Sequence, residues 1–189
     1  MLTLNFSPFP VLETDRLVLR RITKNDAPAV FALRSDPETM RYVPRPLAQT
    51  LDDALAHIAL IDEKIEANAG INWAITLKGN DDFIGIIGNF RVEFENYRAE
   101  IGYMLLPEFQ GKGIVSEAIE RVVQYGFNEM KLHSIEAIID PENIASARVL
   151  EKNGFVKEAH LRENEFWQGK FLDTVIYAII NPNDTNTYQ

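Results

Sequence analysis

The sequence predicts an α/β fold on a mixed, mostly antiparallel sheet of about seven strands, with one local parallel pair flanked by helices. Three observations carry that reading. Apolar residues recur at helical spacing from Leu51 to Ile65. From Ile71 onward, strand-like runs are joined by turns too short for anything but antiparallel neighbours. After Pro107 the order becomes strand, helix, strand, helix, strand, strand, which requires a parallel crossover between the fourth and fifth predicted strands.

Residues 1–13 form a proline-rich arm, expected to be loose. TDRLVLRRI (14–22) sets Leu17 and Leu19 against Val18 and Arg20 and reads as the first strand. Asn25 and Asp26 precede Ala27 and Pro28, a proline-bearing helix start. SDPETMRYV follows as a short helix or turn, then the loop PRPLAQ, then Thr50 as the cap of a helix that runs toward Gly70. INWAITLK, FIGIIGNFRVE and RAEIGYMLL are the next three strands, turned at GNDD (79–82) and FENY (94–97). A helix over 112–129 places Val115, Ala118, Ile119, Val122, Val123 and Phe127 on one side. HSIEAIID is a strand, IASARVLEKN a helix opened near Asn143, and a strand starting at Gly154 pairs with FLDTVIYAII through a turn at Gln168 and Gly169. Residues 14–180 make one domain, and 181–189 are expected to be a flexible tail.

A chain of 189 residues with 46% hydrophobic content suffices for one buried core. With no apolar run of membrane-spanning length and no signal-peptide pattern at the start, the expectation is a cytoplasmic protein that engages neither membrane nor nucleic acid. The net charge of −9 argues against a phosphate-backbone binder. With no cysteine, disulfides, zinc-thiolate sites and thioester chemistry on the protein are excluded. His57, His133 and His160 show no metal-site spacing, so no metal is expected.

The stretch QGKGIVSEAIER (110–121) sets two glycines directly before a helix. A helix N-terminus presents unpaired N–H groups and the positive end of the macrodipole, an anion site. Gly111 and Gly113 free the backbone so that the amides of Gly111, Gly113, Val115 and Ser116 can meet phosphate oxygens, with Lys112 adding charge at the rim. Two ligand classes fit: a dinucleotide, read from an incomplete G-x-G-x-x-G ending at Ser116, and the pyrophosphate of coenzyme A. The dinucleotide fingerprint should follow its strand directly, whereas Pro107 to Gln110 intervene here.

Gln110-Gly-Lys-Gly113-Ile-Val115, after AEIGYMLL, resembles the Q/R-x-x-G-x-G/A loop of the GNAT superfamily of N-acetyltransferases. Asn143-Ile-Ala-Ser146-Ala-Arg-Val-Leu-Glu-Lys-Asn-Gly-Phe155 resembles the corresponding segment of the RimJ/RimL-like branch, which acetylates ribosomal-protein N-termini. WQGKFLDTVIYAI, with Asp173 and Tyr177, is similar to that branch's last hairpin. The resemblance spans roughly Thr14 to Ile180 and implies direct acetyl transfer from acetyl-CoA to a primary amine, a protein N-terminal α-amine being one candidate, in a monomer or homodimer. It implies Gln110 in the cofactor loop, Glu100 as general base with Glu163 and Glu165 as weaker alternatives, Ser146 as the acid for the leaving thiolate, and Asn143 as a contact to the cofactor arm. It also implies that backbone groups of Met104 and Leu106 pair with the pantetheine. Val115 occupies a position the pattern gives to a small residue; since amides hold the ligand, a β-branched side chain is tolerable there if it points into the core. Trp73, Tyr103 and Trp167 are candidates for lining the acceptor pocket, with core packing the favoured role for the first two. Two other classes compete: a non-catalytic acyl-CoA-binding sensor, and a dinucleotide-binding oxidoreductase.

Overall fold

The computed structural model describes residues 1–184. Eight strands form a single sheet in the order β1-β2-β3-β4-β5-β6-β8-β7. They are β1 (Leu12–Glu13), β2 (Leu17–Arg20), β3 (Ile71–Leu77), β4 (Asn80–Glu93), β5 (Arg98–Leu105), β6 (Ser134–Ile139), β7 (Val156–Trp167) and β8 (Lys170–Ile180). The helices are α1 (Ala27–Ser35), α2 (Leu51–Glu66), α3 (Ile114–Asn128) and α4 (Ile144–Lys152). The mixed, mostly antiparallel α/β architecture holds. The parallel pair is β5/β6 rather than the fourth and fifth strands, because the arm contributes a strand of its own, Leu12 pairing with Leu19.

That arm is packed. Leu2, Leu4, Phe6 and Leu12 are buried in the main core, and Trp73 donates its indole N–H to Pro10 O at 2.8 Å. The alternation of MLTLNF was the signal for it. The first hairpin turns one residue pair earlier than expected, at Lys78 and Gly79, where φ of +82° suits glycine. SDPETMRYV is turn rather than helix. The tail is anchored through Asn181, whose amide donates to His133 O, and Asp184, 2.6 Å from His133 Nδ1; the rest of the expected flexible segment lies outside the described residues. No helix among the described residues is long and apolar enough to cross a membrane.

Two helical layers sandwich the sheet. Trp73, Ile87 and Tyr103 are successive cross-strand neighbours, and Trp73 meets the Tyr125 ring of α3 edge-on at 5.3 Å. On this same face Tyr177 donates its hydroxyl to Glu151 of α4. The alternate residues point the other way: Arg20 grips Asp26 at the start of α1 through two nitrogens, at 2.8 and 2.9 Å.

Between the layers the sheet is split. β5 and β6 pair only at Arg98–Ser134, Ala99–Ile135 and Glu100–Glu136. β6 pairs with β8 along its whole length, and beyond Glu100 the rest of β5 has β4 alone as its neighbour. Past Glu100, β5 and β6 no longer pair with each other, which leaves a gap in the sheet.

Candidate active site

The glycine loop lies on the α3 face of this gap. Pro107–Phe109 form one 3₁₀ turn, and Gly113 caps α3 with φ 76° and ψ 4°, a left-handed conformation that costs a side-chain-bearing residue. Gly111 is likewise left-handed, at φ 71°. Among the described residues the backbone amides of Gly111 through Ser116 make no hydrogen bond; the first helical bond runs from Glu117 N to Gly113 O. Six consecutive free amides at the positive end of a 15-residue helix are an anion cradle.

The cradle is braced from behind. Glu117 accepts from the Thr14 hydroxyl, from Arg16 N at 2.9 Å and from Arg16 Nε at 2.6 Å, while Arg16 Nη1 holds Lys112 O. Partial burial pushes the Glu117 carboxyl up, yet these donors hold it below its ordinary range. Neither Arg16 nor Glu117 is among the site residues read from the sequence; the fold brings them together across 101 positions. Val115 packs against the core, and Lys112 is exposed, its Nζ 5.4 Å from the Phe109 ring centroid. Gln110 spends its side-chain amide on Leu105 O at 3.0 Å, closing the loop onto β5. The Ser116 hydroxyl accepts from Asn153 and ties α3 to α4, which leaves its backbone amide for the cradle.

One expectation shifts by a residue. Leu106 N donates to Ile84 O and its carbonyl accepts from Phe109 N, so both of its backbone groups are used. Hydrogen-bonded pairs alternate along an antiparallel ladder, so Met104, opposite Ile86, also turns its backbone toward β4. The groups facing the gap belong to Ile101, Tyr103 and Leu105 instead.

Glu100 sits at the head of the gap on the α1/α2 face, 8% exposed, accepting from Arg91 Nη1 at 2.7 Å. Its partner is therefore Arg91 of the β4 bulge rather than Arg98 or Arg20, which face Glu136 and Asp26. Burial pushes the Glu100 carboxyl above its ordinary value; Arg91 opposes the shift and nearby Glu136 adds to it.

Across the sheet, Asn143 caps α4, its side-chain oxygen accepting from Ser146 N at 3.1 Å. The Tyr103 hydroxyl is sealed from solvent without a hydrogen bond of good geometry. Burial pushes its acidity down, and the Ser146 hydroxyl lies close enough to oppose that shift. A buried hydroxyl left incomplete beside an open strand edge fits a site built for a polar ligand.

A cavity of about 260 Å³ lies on the Glu100 face, between the 37–47 loop, the end of β6 and the β7/β8 hairpin. Arg45, Asp140, Glu165, Trp167 and Asp173 help line it. Glu100 itself does not, although Arg45 is near enough to influence its charge. Of the three aromatic candidates only Trp167 lines this cavity; Trp73 is fully buried. Glu163 sits on the β7 bulge with φ 52° and its amide bound to Asp173. Asp173 also meets His160 Nε2 at 2.7 Å. Burial and nearby cations push His57 down to about 4.

The model of the acetyltransferase (GNAT) domain family matches residues 16–156 of this chain. The chain belongs to the GNAT acetyltransferase family. It is 39% identical over 176 residues to the uncharacterized N-acetyltransferase YoaA of Bacillus subtilis, covering 93% of this chain and 99% of that one. It is 27% identical to a spermidine N(1)-acetyltransferase of Vibrio cholerae, over 84% of this chain and 89% of the relative. Among solved structures, a GNAT-family acetyltransferase from Bacillus anthracis superposes with a TM-score of 0.81 at 31% identity, covering 90% and 98% of the two chains. The RimL ribosomal-protein acetyltransferase, solved with coenzyme A, shares the fold at TM-score 0.82 and 20% identity, over 90% and 98%. This GNAT protein is thus an acyltransferase that moves an acetyl group from acetyl-CoA to an amine. Its strand–helix–strand unit β5-α3-β6 is a parallel crossover, but a 3₁₀ turn rather than a bare glycine turn separates strand from helix.

Proposed function

We propose that this GNAT enzyme acetylates an α-amine, that of a small molecule or a protein N-terminus, with Glu100 as general base and Ser146 as the acid for the departing thiolate. The observation that carries the reading is the position of Glu100: the last paired residue before β5 and β6 part, buried, and on the face that holds the cavity. A raised carboxyl value makes Glu100 a stronger proton acceptor than an ordinary carboxylate. On this reading the free amides of 111–116 and the rim charge of Lys112 hold the pyrophosphate, Asn143 steadies the cofactor arm, and the gap-facing backbone of Tyr103 and Leu105 guides the pantetheine.

The amine must be neutral to attack. At pH 7 an α-amine, with a pKa of about 8, costs about 1.4 kcal/mol to deprotonate, and a lysine side chain about 4.6. A single partly neutralised carboxylate suits the smaller cost.

Thiol release measured at pH 7 with an α-amino acid amide and with an Nα-blocked lysine amide tests the choice. The α-amine is expected to give kcat/KM at least tenfold higher. Equal turnover of the blocked lysine would overturn the α-amine reading.

A further inference from the structure

The charges that line the cavity are segregated between its walls. On the sheet and hairpin side stand Asp140, Glu165 and Asp173. Two of these are committed locally: Asp140 Oδ1 accepts from Glu142 N at 2.7 Å, and Asp173 takes His160 and the Glu163 amide. On the loop side stand Arg41 and Arg45. Arg41 makes no ion pair among the described residues, and its guanidinium lies 5.3 Å from the Tyr42 ring centroid. Arg45 has Glu165 as its acid, at 3.7 Å, beyond hydrogen-bond reach. Arg34, at the end of α1, is partly buried, has no ion pair among the described residues, and is near enough to Arg45 for the two to repel. The loop wall therefore presents two guanidinium groups, Arg41 and Arg45, of which, among the described residues, only Arg45 has a carboxylate within 4 Å, facing a wall of three acids.

We infer that the acceptor is a small amine bearing its own anionic group, a carboxylate or a phosphate, which the Arg45–Arg41 wall receives while the amine faces Glu100. The inference rests on the acetyltransferase reading of this cavity. Arginine's fork suits either anion, and here it stands without a bidentate partner from the protein. The volume, about 260 Å³, equals roughly nine waters, room for an amino-acid-sized molecule. A polyamine would suit the acidic wall but leave Arg41 and Arg45 without an anion.

The test compares an α-amino acid, the same compound as its carboxamide, O-phosphoethanolamine and spermidine in the thiol-release assay, with wild type and Arg45→Ala. The exposed side chain of Arg45 makes the variant a safe one for folding. For wild type, kcat/KM for at least one of the two anionic amines is expected to exceed that for the carboxamide and for spermidine by tenfold or more; which of them is preferred separates carboxylate from phosphate. Arg45→Ala is expected to reduce that preference to threefold or less through acceptor KM, with acetyl-CoA affinity retained. Equal use of the carboxamide, preference for spermidine, or a preference unchanged in the variant would each overturn the inference while leaving acetyl transfer intact. Acetyl-CoA binding without thiol release to any amine would instead defeat the catalytic reading, and the inference with it.

Discussion

Gly113→Asp is expected to lower acetyl-CoA affinity about a hundredfold, read by titration calorimetry, while Gly113→Asn lowers it far less. Asn and Asp are the residues that best tolerate a left-handed backbone, so both variants keep the φ of 76° that caps α3. There is room as well: an added Cβ meets nothing closer than Arg16 Nη2 at 3.5 Å. What separates them is one negative charge beside the amides of 111–116. Against a doubly charged pyrophosphate at about 5–6 Å and an effective dielectric of about 40, that charge costs about 3 kcal/mol, or two decades of affinity. Arg16 does not cancel it, since its guanidinium is already paired with Glu117. Full retention of affinity in Gly113→Asp would remove the loop from the donor site.

Glu100→Gln is expected to reduce kcat by about 10²–10³ with little change in acetyl-CoA affinity, and to change two pH dependences. In wild type, kcat/KM falls on the acid side as Glu100 takes up its proton, at a pH above the ordinary carboxylate range because burial raises its value; in the variant this limb disappears. Stability moves the opposite way. A carboxyl whose folded value is raised binds its proton more tightly in the native state, so native stability declines as pH rises through that value. Burying charged Glu100 is therefore a cost at pH 8 that is absent at pH 4. Glu100→Gln removes the cost and leaves behind an Arg91 whose side chain is 57% exposed. A thermal melt at pH 8 should show the variant at or above wild type, with the difference shrinking toward low pH. A variant with wild-type turnover, or one destabilised most at high pH, would argue that the carboxylate is a structural ion-pair partner.

The sequence was most readable where local chemistry decides the outcome. The cap at Thr50 and the cap at Asn143 both form, because a side-chain oxygen three residues before a free amide needs no tertiary help. The glycine loop precedes its helix as read, although α3 runs from Ile114 to Asn128 rather than 112–129 and its cap is a left-handed glycine, not a side-chain oxygen. What escaped depends on long-range pairing. A two-residue strand such as β1 is too short for any periodicity, and only its partner Leu19 makes it a strand. Whether Met104 or Tyr103 turns its backbone to the gap depends on which β4–β5 pairs are hydrogen-bonded, and side-chain alternation is silent about that. Arg91, the partner of Glu100, stands at a bulge where φ is 48°, an irregularity with no glycine to announce it. Arg45 was equally hidden, in a loop with no pattern, and it matters only because the loop folds over the end of β6.

The split between β5 and β6 has a kinetic consequence. The free amides of 111–116 lie on one face of the sheet and the cavity on the other, and on the proposed reading the gap past Glu100 is where the two substrates meet. Two substrates arriving through separate doors need not vacate for each other, so both can be resident when the acyl group passes. With no cysteine the acyl group cannot be stored as a protein thioester, and the expected route is a ternary complex, giving intersecting rather than parallel lines when one substrate is varied against the other.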